Sequence, residues 1–308
     1  VGRIHFFRNT GSSSSPNYVE EPTSLLNENM GQMLTPEFGD LDGDGDMDLL
    51  VGDFNGFIQY FENTSSGSSL TFTFIENVGS IDLSGNSVPT LGDLDADGDL
   101  DLLIGQLNGS LIFYRNTGST SAYNFQEEAF DDIQVESNSA PELFDIEGDG
   151  DLDLVLGSAG EDLLLYQNQG SSINSQFELD TSMFIPRMGM NNKPAMENLY
   201  CGKLDIITGL STGGLYHIQR DADIALGDLN DTGDWNVLDI VQLANCVLAQ
   251  NCSTIANGCA GDLNGDDSYN VLDIVTLANC VLAQNCGGRI DDANKSKLVL
   301  TENLVSIK

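Results

Sequence analysis

Short apolar runs, separated by clusters of Gly, Asn and Ser, recur along the first two thirds of the chain. Asp48–Gly52 is apolar after its first residue, and residues 57–61 and 71–75 are rich in aromatic and β-branched side chains. Runs this short between turn-forming residues predict β-strands rather than helices. Four of them fit into each repeating unit, so the pattern predicts sheets of four short antiparallel strands.

The strands belong to an internal repeat. Pro36, Pro89, Pro141 and Pro194 begin equivalent segments that are spaced by 53, 52 and 53 residues. Four-stranded units of this length that pack around an axis are the blades of a β-propeller. We therefore expect a mainly β fold in which residues 1–221 form propeller blades, with residues 1–35 as part of a blade. Because the chain starts in the middle of a repeat, we also expect further blades upstream.

Three of the four units carry an aspartate ladder, in which Asp alternates with other residues and Gly allows a sharp turn. The ladders occupy residues 40–48, 93–101 and 145–153. Oxygen ligands on alternate residues suit Ca²⁺, and so many carboxylates would repel one another without a cation. The fourth unit has Asn198, Tyr200 and Gly202 at the ligand positions and Lys203 in the loop. We expect Ca²⁺ in the first three loops and none in the fourth.

These units resemble FG-GAP/VCBS repeats, calcium-loop propeller repeats that also occur in the head of the integrin α-chain. The resemblance covers residues 1–221 and rests on a common register of ladder, apolar strand, Gly and aromatic strand. It implies Ca²⁺ ligation by the side chains at loop positions one, three, five and nine, and by the backbone carbonyl at position seven. The implied ligands are Asp40, Asp42, Asp44, Asp46 and Asp48; Asp93, Asp95, Asp97, Asp99 and Asp101; and Asp145, Glu147, Asp149, Asp151 and Asp153. Glu147 departs from the usual Asp or Asn.

A second repeat, with a period of 34 residues, follows Asp221. Residues 227–252 and 261–286 each join an Asp/Asn-rich loop to an amphipathic run of helical period. The oxygen-bearing residues match the ligand positions of an EF-hand loop. Two such loops without the preceding helix resemble a type I dockerin, which we assign to residues 222–287 as a small α-helical calcium-binding domain. The candidate ligands are Asp228, Asn230, Thr232, Asp234, Asn236 and Asp239, and Asp262, Asn264, Asp266, Ser268, Asn270 and Asp273.

The two helical runs place apolar residues on one broad face, which includes Val237, Ile240 and Val241 in the first run. In cellulosomal dockerins, the positions of Val237 and Leu238, and of Val271 and Leu272, tend to contact the cohesin partner. The resemblance therefore implies a protein partner, either a cohesin-like module or another copy of the chain. The same apolar pairs could equally belong to the core of the domain.

The chain has six cysteines, and we favour disulfide bonds over zinc because the spacing of Cys246 and Cys252 is not that of a zinc knuckle. Sequence alone leaves fifteen pairings open. Two cysteines six residues apart in an unbroken helix are too distant to bond. Either the first helix ends near Ala249 or the pairing crosses between repeats. Residues 288–308 alternate in polarity and predict a linker and the first strands of a further β domain.

The formal charge is −37, from 48 acidic and 11 basic residues. Such a chain repels nucleic acid and anionic lipid, so neither is a partner we expect. No apolar stretch is long enough for membrane insertion. Calcium loops and disulfides both indicate an oxidising, calcium-rich exterior. We therefore expect about five Ca²⁺ ions and a secreted, extracellular or cell-surface location.

The sequence offers little for catalysis. Its two histidines, His5 and His217, lie in predicted strands, and no nucleophile motif is present. We expect no enzyme, and interpret the chain as a calcium-stabilised adhesion or assembly module of a large secreted or surface protein. The alternative is a component that binds or degrades polysaccharide and docks into a cellulosome-like complex, with a glycan as its ligand.

Overall fold

The computed structural model describes residues 3–10, 17–20, 26, 31–66, 70–78, 83, 85–146, 149–160, 163–181, 193–200, 203–209, 215–220, 227–230, 232–252, 258–263, 268–283 and 299–300. These residues form eighteen β-strands and two α-helices, so the predicted mainly β class is confirmed. The strands are β1 (Phe7–Asn9), β2 (Tyr18–Glu20), β3 (Thr35–Gly39), β4 (Asp48–Gly52), β5 (Ile58–Asn63), β6 (Phe72–Asn77), β7 (Val88–Gly92), β8 (Asp101–Gly105), β9 (Leu111–Asn116), β10 (Phe125–Glu128), β11 (Ala140–Phe144), β12 (Asp153–Gly157), β13 (Leu164–Asn168), β14 (Phe177–Leu179), β15 (Lys193–Tyr200), β16 (Lys203–Gly209), β17 (Leu215–Arg220) and β18 (Val299–Leu300). The helices are α1 (Val237–Ala249) and α2 (Val271–Ala283), with a 3₁₀ helix at Gly258–Gly261 between them.

The strands form the four-stranded antiparallel sheets that the repeat predicts. Three sheets contain four consecutive strands each, β3 to β6, β7 to β10 and β11 to β14, and the fourth joins β15, β16, β17 and β18. The strands β1 and β2 pair separately. First strands of successive sheets lie side by side, β3 against β7, β7 against β11 and β11 against β15. This arrangement fits blades, and closure into a propeller stays a prediction.

The second strand of each of the first three sheets is buried on both faces, which explains why it is continuously apolar. Leu49, Leu50 and Val51 of β4 are fully buried, as are their counterparts in β8 and β12. Leu50 packs in one cluster with Leu91 and Leu102 of the following sheet. The core therefore lies between successive sheets, so that each blade depends on its neighbour for burial.

The end of each first strand touches the next blade closely. A Cβ on Gly39 would lie 2.5 Å from Leu91 Cδ1, and one on Gly92 would lie 2.7 Å from Leu152 Cδ1. A side chain at either position would force these leucines to shift, so packing favours Gly there. The third sheet has Phe144 at this place, and its ring packs against a cluster that contains Met196 of the fourth sheet.

The fourth sheet replaces the loop by a hairpin. Strands β15 and β16 pair from Lys193 and Gly209 up to Tyr200 and Lys203, with a β-bulge between Glu197 and Tyr200. The expected retention of the blade frame is confirmed, and the expected lack of an ion there stays a prediction. The outer strand comes from the tail, because β18 pairs with Ile218 and Gln219 of β17. The assignment of residues 288–308 to a further β domain concerns residues that mostly lie outside the described ranges.

The helical segment has a small core of its own. Leu243 of α1 and Leu277 of α2 are fully buried, and they pack with Leu229, Cys246 and Ala260. Asn236 caps α1 in a capping box with Asp239. Neither α-helix of the described residues has the length and apolar character to cross a bilayer.

Helix α1 ends at Ala249, because Gln250 adopts a left-handed conformation with φ of 56°. This turn brings Cys252 back to Cys246, and the two form a disulfide with a Cα–Cα distance of 4.7 Å. Of the two alternatives, the earlier helix end is thus correct. Cys280 is disulfide-bonded as well. The prediction of disulfides is confirmed for these cysteines.

Candidate metal sites

The first two loops each bring three ladder carboxylates together. Asp40, Asp42 and Asp48 each place one oxygen within 4.8 Å of the others, where the chain passes from β3 to β4. The same group between β7 and β8 consists of Asp93, Asp95 and Asp101. These are the predicted ligand positions one, three and nine. Position five, occupied by Asp44 and Asp97, is exposed and lies outside both groups.

The carboxylate at position one is oriented by the loop backbone. The N–H of Gly45 donates to Asp40 Oδ2, that of Gly98 to Asp93 and that of Gly150 to Asp145, each at 3.0 Å. All three glycines have φ between 92° and 94°. L-residues adopt this backbone conformation with difficulty, so the ladder needs Gly at its sixth position.

The carboxylate at position nine is buried and joins the loop to the third strand of its sheet. Asp101 is 1% exposed, and it accepts hydrogen bonds from Leu94 N–H at 3.0 Å and from Asn116 N–H at 2.7 Å. Asp48 and Asp153 accept the equivalent pairs of bonds in their blades. This residue is therefore structural as well as a candidate ligand, a role that the ladder pattern alone did not reveal.

Several carboxylate oxygens of these loops are buried and have no hydrogen-bond donor. They are Oδ1 of Asp93, Oδ1 of Asp99 and Oδ1 of Asp46. A buried carboxylate oxygen without a partner is costly, and a cation supplies the missing interaction. The residues present thus fit Ca²⁺. At position seven the prediction named the backbone carbonyl, whereas Asp46 and Asp99 also offer a buried side-chain oxygen.

The electrostatics of the loops agree with this fit. Burial raises the pKa of Asp101 to about 6, although its two backbone hydrogen bonds act in the opposite direction. Burial also raises the pKa of Asp42 and of Asp99, and neighbouring carboxylates raise it further. In the absence of a cation, the raised pKa values mean that these three carboxyl groups hold protons more tightly than free carboxylates do. A divalent cation removes this penalty by compensating the charge.

The third loop is only partly described. Asp149 N–H donates to Asp145 Oδ1 at 3.1 Å, and Asp151 N–H donates to Asp149 at 3.2 Å, so the ladder geometry is kept. Burial, followed by contact with Asp149, raises the pKa of Asp151 to about 6. Glu147 lies outside the described residues. The described carboxylates of this loop do not form a group as compact as the first two.

In the first helical loop, backbone N–H groups also donate to the candidate ligand carboxylates. Gly233 N–H donates to Asp228 Oδ2 at 2.7 Å, and the fully buried Asp239 accepts from Asn230 and Asn236 N–H. The Thr232 hydroxyl donates to Asn230 Oδ1 at 2.6 Å, so it occupies an oxygen of another candidate ligand. The carbonyl of Asp234 accepts a bond from the Asn236 amide.

The second helical loop repeats this arrangement where it is described. Asp273, which is fully buried, accepts from Leu263 N–H at 3.1 Å and from Asn270 N–H at 3.0 Å. The Asn270 amide donates to the carbonyl of Ser268. Asn264 and Asp266 lie outside the described residues, and Asp262 lies at the start of the loop. The described carboxylates of the two helical loops do not form a compact group.

Residues 40–104 and 93–156 each match the family model of the FG-GAP-like repeat. Each match begins at the first residue of a ladder and ends inside the second strand of the following blade. No curated protein matches the chain. The matches do not extend to the helical segment, so its resemblance to a dockerin stays a prediction. The part of the chain from residue 40 to residue 156 is thus built of FG-GAP-like repeats.

Proposed function

We propose that this chain is a calcium-stabilised, non-catalytic module of a secreted or cell-surface protein. In this proposal the sheets serve adhesion or assembly, and the helical segment docks a protein partner. The observation that supports calcium best is the pair of compact carboxylate groups with buried oxygens that have no donor. FG-GAP-like repeats are typical of extracellular proteins, and the disulfide suits the same exterior.

Calcium would act here as a structural ion. Carboxylates of one loop come from both ends of the connection between two strands, so an ion bound to them would hold β3 to β4 and β7 to β8. Five Ca²⁺ ions would offset only ten of the 37 net negative charges. The surface would therefore stay strongly acidic after loading, which favours solubility and disfavours anionic partners.

The non-catalytic part of the proposal is supported by where the histidines lie. His5 is exposed, and its Nδ1 lies 2.6 Å from Glu20 Oε1. His217 lies within β17, opposite Ile207 of β16. The exposed carboxylate contact of His5 does not resemble a base beside a nucleophile.

Calcium titration tests the metal sites. We expect about five Ca²⁺ ions per chain by calorimetry and native mass spectrometry. Replacing Asp42 and Asp95 together by Ala should remove two of them, because each residue belongs to one compact group. Asp132→Ala, an exposed carboxylate outside the loops, serves as the control. Unchanged stoichiometry in the double variant, or no binding by the wild type, would contradict the assignment.

The docking part of the proposal rests on an exposed apolar surface of the two helices. Val237 and Leu238 are each 63% exposed, and Val271 and Leu272 are 63% and 59% exposed. The exposure of these pairs supports a role in docking rather than in the core of the helical segment. Residues 227–288 contain no Lys or Arg. The surface suits a partner with an apolar patch that basic residues surround.

Replacing Leu238 and Leu272 by Asp should abolish partner association and leave calcium binding intact. The expected loss is at least about 2 kcal/mol of binding free energy, because two apolar anchors become charged. Association is measured by light scattering for self-association and by titration with an isolated cohesin-like domain. Gln126→Glu with Gln169→Glu adds two charges at exposed blade positions and serves as the control. If the Asp variant unfolds the helices instead, the docking proposal is wrong.

A further inference from the structure

A basic residue outside the second loop contacts the ladder of that loop. Arg115 lies on β9, and its guanidinium Nη1 donates to Asp95 Oδ2 while Nε donates to Glu128 Oε2 at 2.9 Å. The guanidinium carbon lies 5.6 Å from the centre of the Phe113 ring. The side chains of Arg115 and Asp95 are 29% and 22% exposed. The guanidinium is therefore held against one of the three carboxylates that converge in this loop.

The other blades carry a different charge at the same place. The equivalent residues are Glu62 on β5 and Gln167 on β13, each directly before the Asn whose N–H donates to the buried ninth-position carboxylate. Three blades with ladders of nearly the same sequence thus have a negative, a positive and a neutral residue at this position. The three blades can therefore be compared as natural variants of the charge at this one position.

We infer that Arg115 is a built-in counter-ion that sets the calcium affinity of the second loop below that of the first. This inference rests on the calcium binding proposed above. The bond from Arg115 weakens Asp95 Oδ2 as a ligand for a cation, and the guanidinium repels an ion bound beside it. When the ion binds, Arg115 keeps Glu128 as its partner, since Glu128 lies outside the ladder.

The same contact places a positive charge beside the loop when no ion is bound. Arg115 compensates part of the negative charge of Asp93, Asp95 and Asp101 when no ion is bound. The second loop should therefore keep its shape at low calcium better than the first loop does. Arg115 is a positioning residue for Asp95 in the empty state and a competitor in the loaded one.

The experiment follows each loop separately in the full chain. The N–H groups of Gly45, Gly98 and Gly150 donate to the first carboxylate of loops one, two and three, so their ¹⁵N–¹H signals report each site. In the wild type, we expect the Gly98 signal to shift at a higher Ca²⁺ concentration than the Gly45 signal. Arg115→Gln should lower the Gly98 midpoint roughly tenfold, the effect of one unit charge at about 6 Å from a divalent ion in water. Arg115→Lys should keep most of the wild-type value.

Gln167→Arg provides the reciprocal variant, which should raise the Gly150 midpoint and leave Gly45 and Gly98 unchanged. An unchanged or raised Gly98 midpoint in Arg115→Gln overturns the inference while the calcium proposal stands. If none of the three glycine signals responds to Ca²⁺ in the wild type, the calcium proposal itself fails and the inference fails with it. Should Arg115→Gln not fold, the midpoint order of the wild type and the Gln167→Arg result still decide.

Discussion

Replacing Asp101 by Ala is expected to lower the free energy of unfolding by about 1–4 kcal/mol even when all calcium is chelated. The substitution leaves the buried N–H groups of Leu94 and Asn116 without an acceptor. Each such orphan costs about 1–3 kcal/mol, and the relief of a buried carboxylate offsets part of this. With calcium present the loss should be larger, because a candidate ligand is also removed.

Urea unfolding at pH 7.5, in chelator and in calcium, measures this difference. The matched control is Asp97→Ala, which removes an exposed carboxylate of the same ladder. Among the described residues, the Asp97 carboxylate accepts a hydrogen bond from Asp99 N–H. In chelator, Asp97→Ala should lower the free energy of unfolding by less than about 1 kcal/mol, and its larger effect should appear in calcium. If the Asp101 variant has an unchanged free energy of unfolding in chelator, this carboxylate stabilises the fold only through the metal.

Chelation of calcium is expected to unfold the helical segment before the sheets. At a free calcium concentration of about 100 times the dissociation constant, each ion lost lowers protection of the linked amides about a hundredfold. The core around Leu243 and Leu277 is small, whereas β4, β8 and β12 are buried between sheets. Small domains that depend on metal lose their fold when it is removed.

Hydrogen exchange with and without chelator tests this order. Amides of residues 237–249 and 271–283 should lose protection first, and those of β4, β8 and β12 should keep it. The disulfide between Cys246 and Cys252 stays closed in both conditions and therefore does not distinguish them. Helices with equal protection in both conditions, or strands that open first, would contradict the prediction.

The sequence predicts the sheets and the loops well because both rest on short-range patterns. The apolar second strand and the ladder are short patterns, and both recur at a spacing of 52 to 53 residues. The role of Asp101 could not be predicted, because one of its donors, Asn116, lies fifteen residues away across a hairpin. The contact of Arg115 with Asp95 depends on the same hairpin register.

The buried face of each helix could not be predicted from the sequence. Both are apolar nearly all round, so the helical period allows more than one buried face. We expected Val237 and Val241 to share a face with Ile240, yet Val237 and Val241 are exposed, while Leu243 and Cys246 form the core. The choice is made by the partners of the helix, namely α2 and the 3₁₀ turn, which a helical wheel does not contain. The sequence predicts a strand within residues 288–308 but not its pairing with β17, because β17 precedes β18 by almost eighty residues.

The residue at the end of each first strand differs according to the blade that it faces. Gly39 and Gly92 leave room for leucines of the next blade, and some of these, such as Leu152, belong to the ladder of that blade. The fourth blade has a hairpin instead, and Phe144 fills the space in front of it. We therefore expect an aspartate ladder grafted into the fourth blade to fit better when Phe144 is replaced by Gly as well.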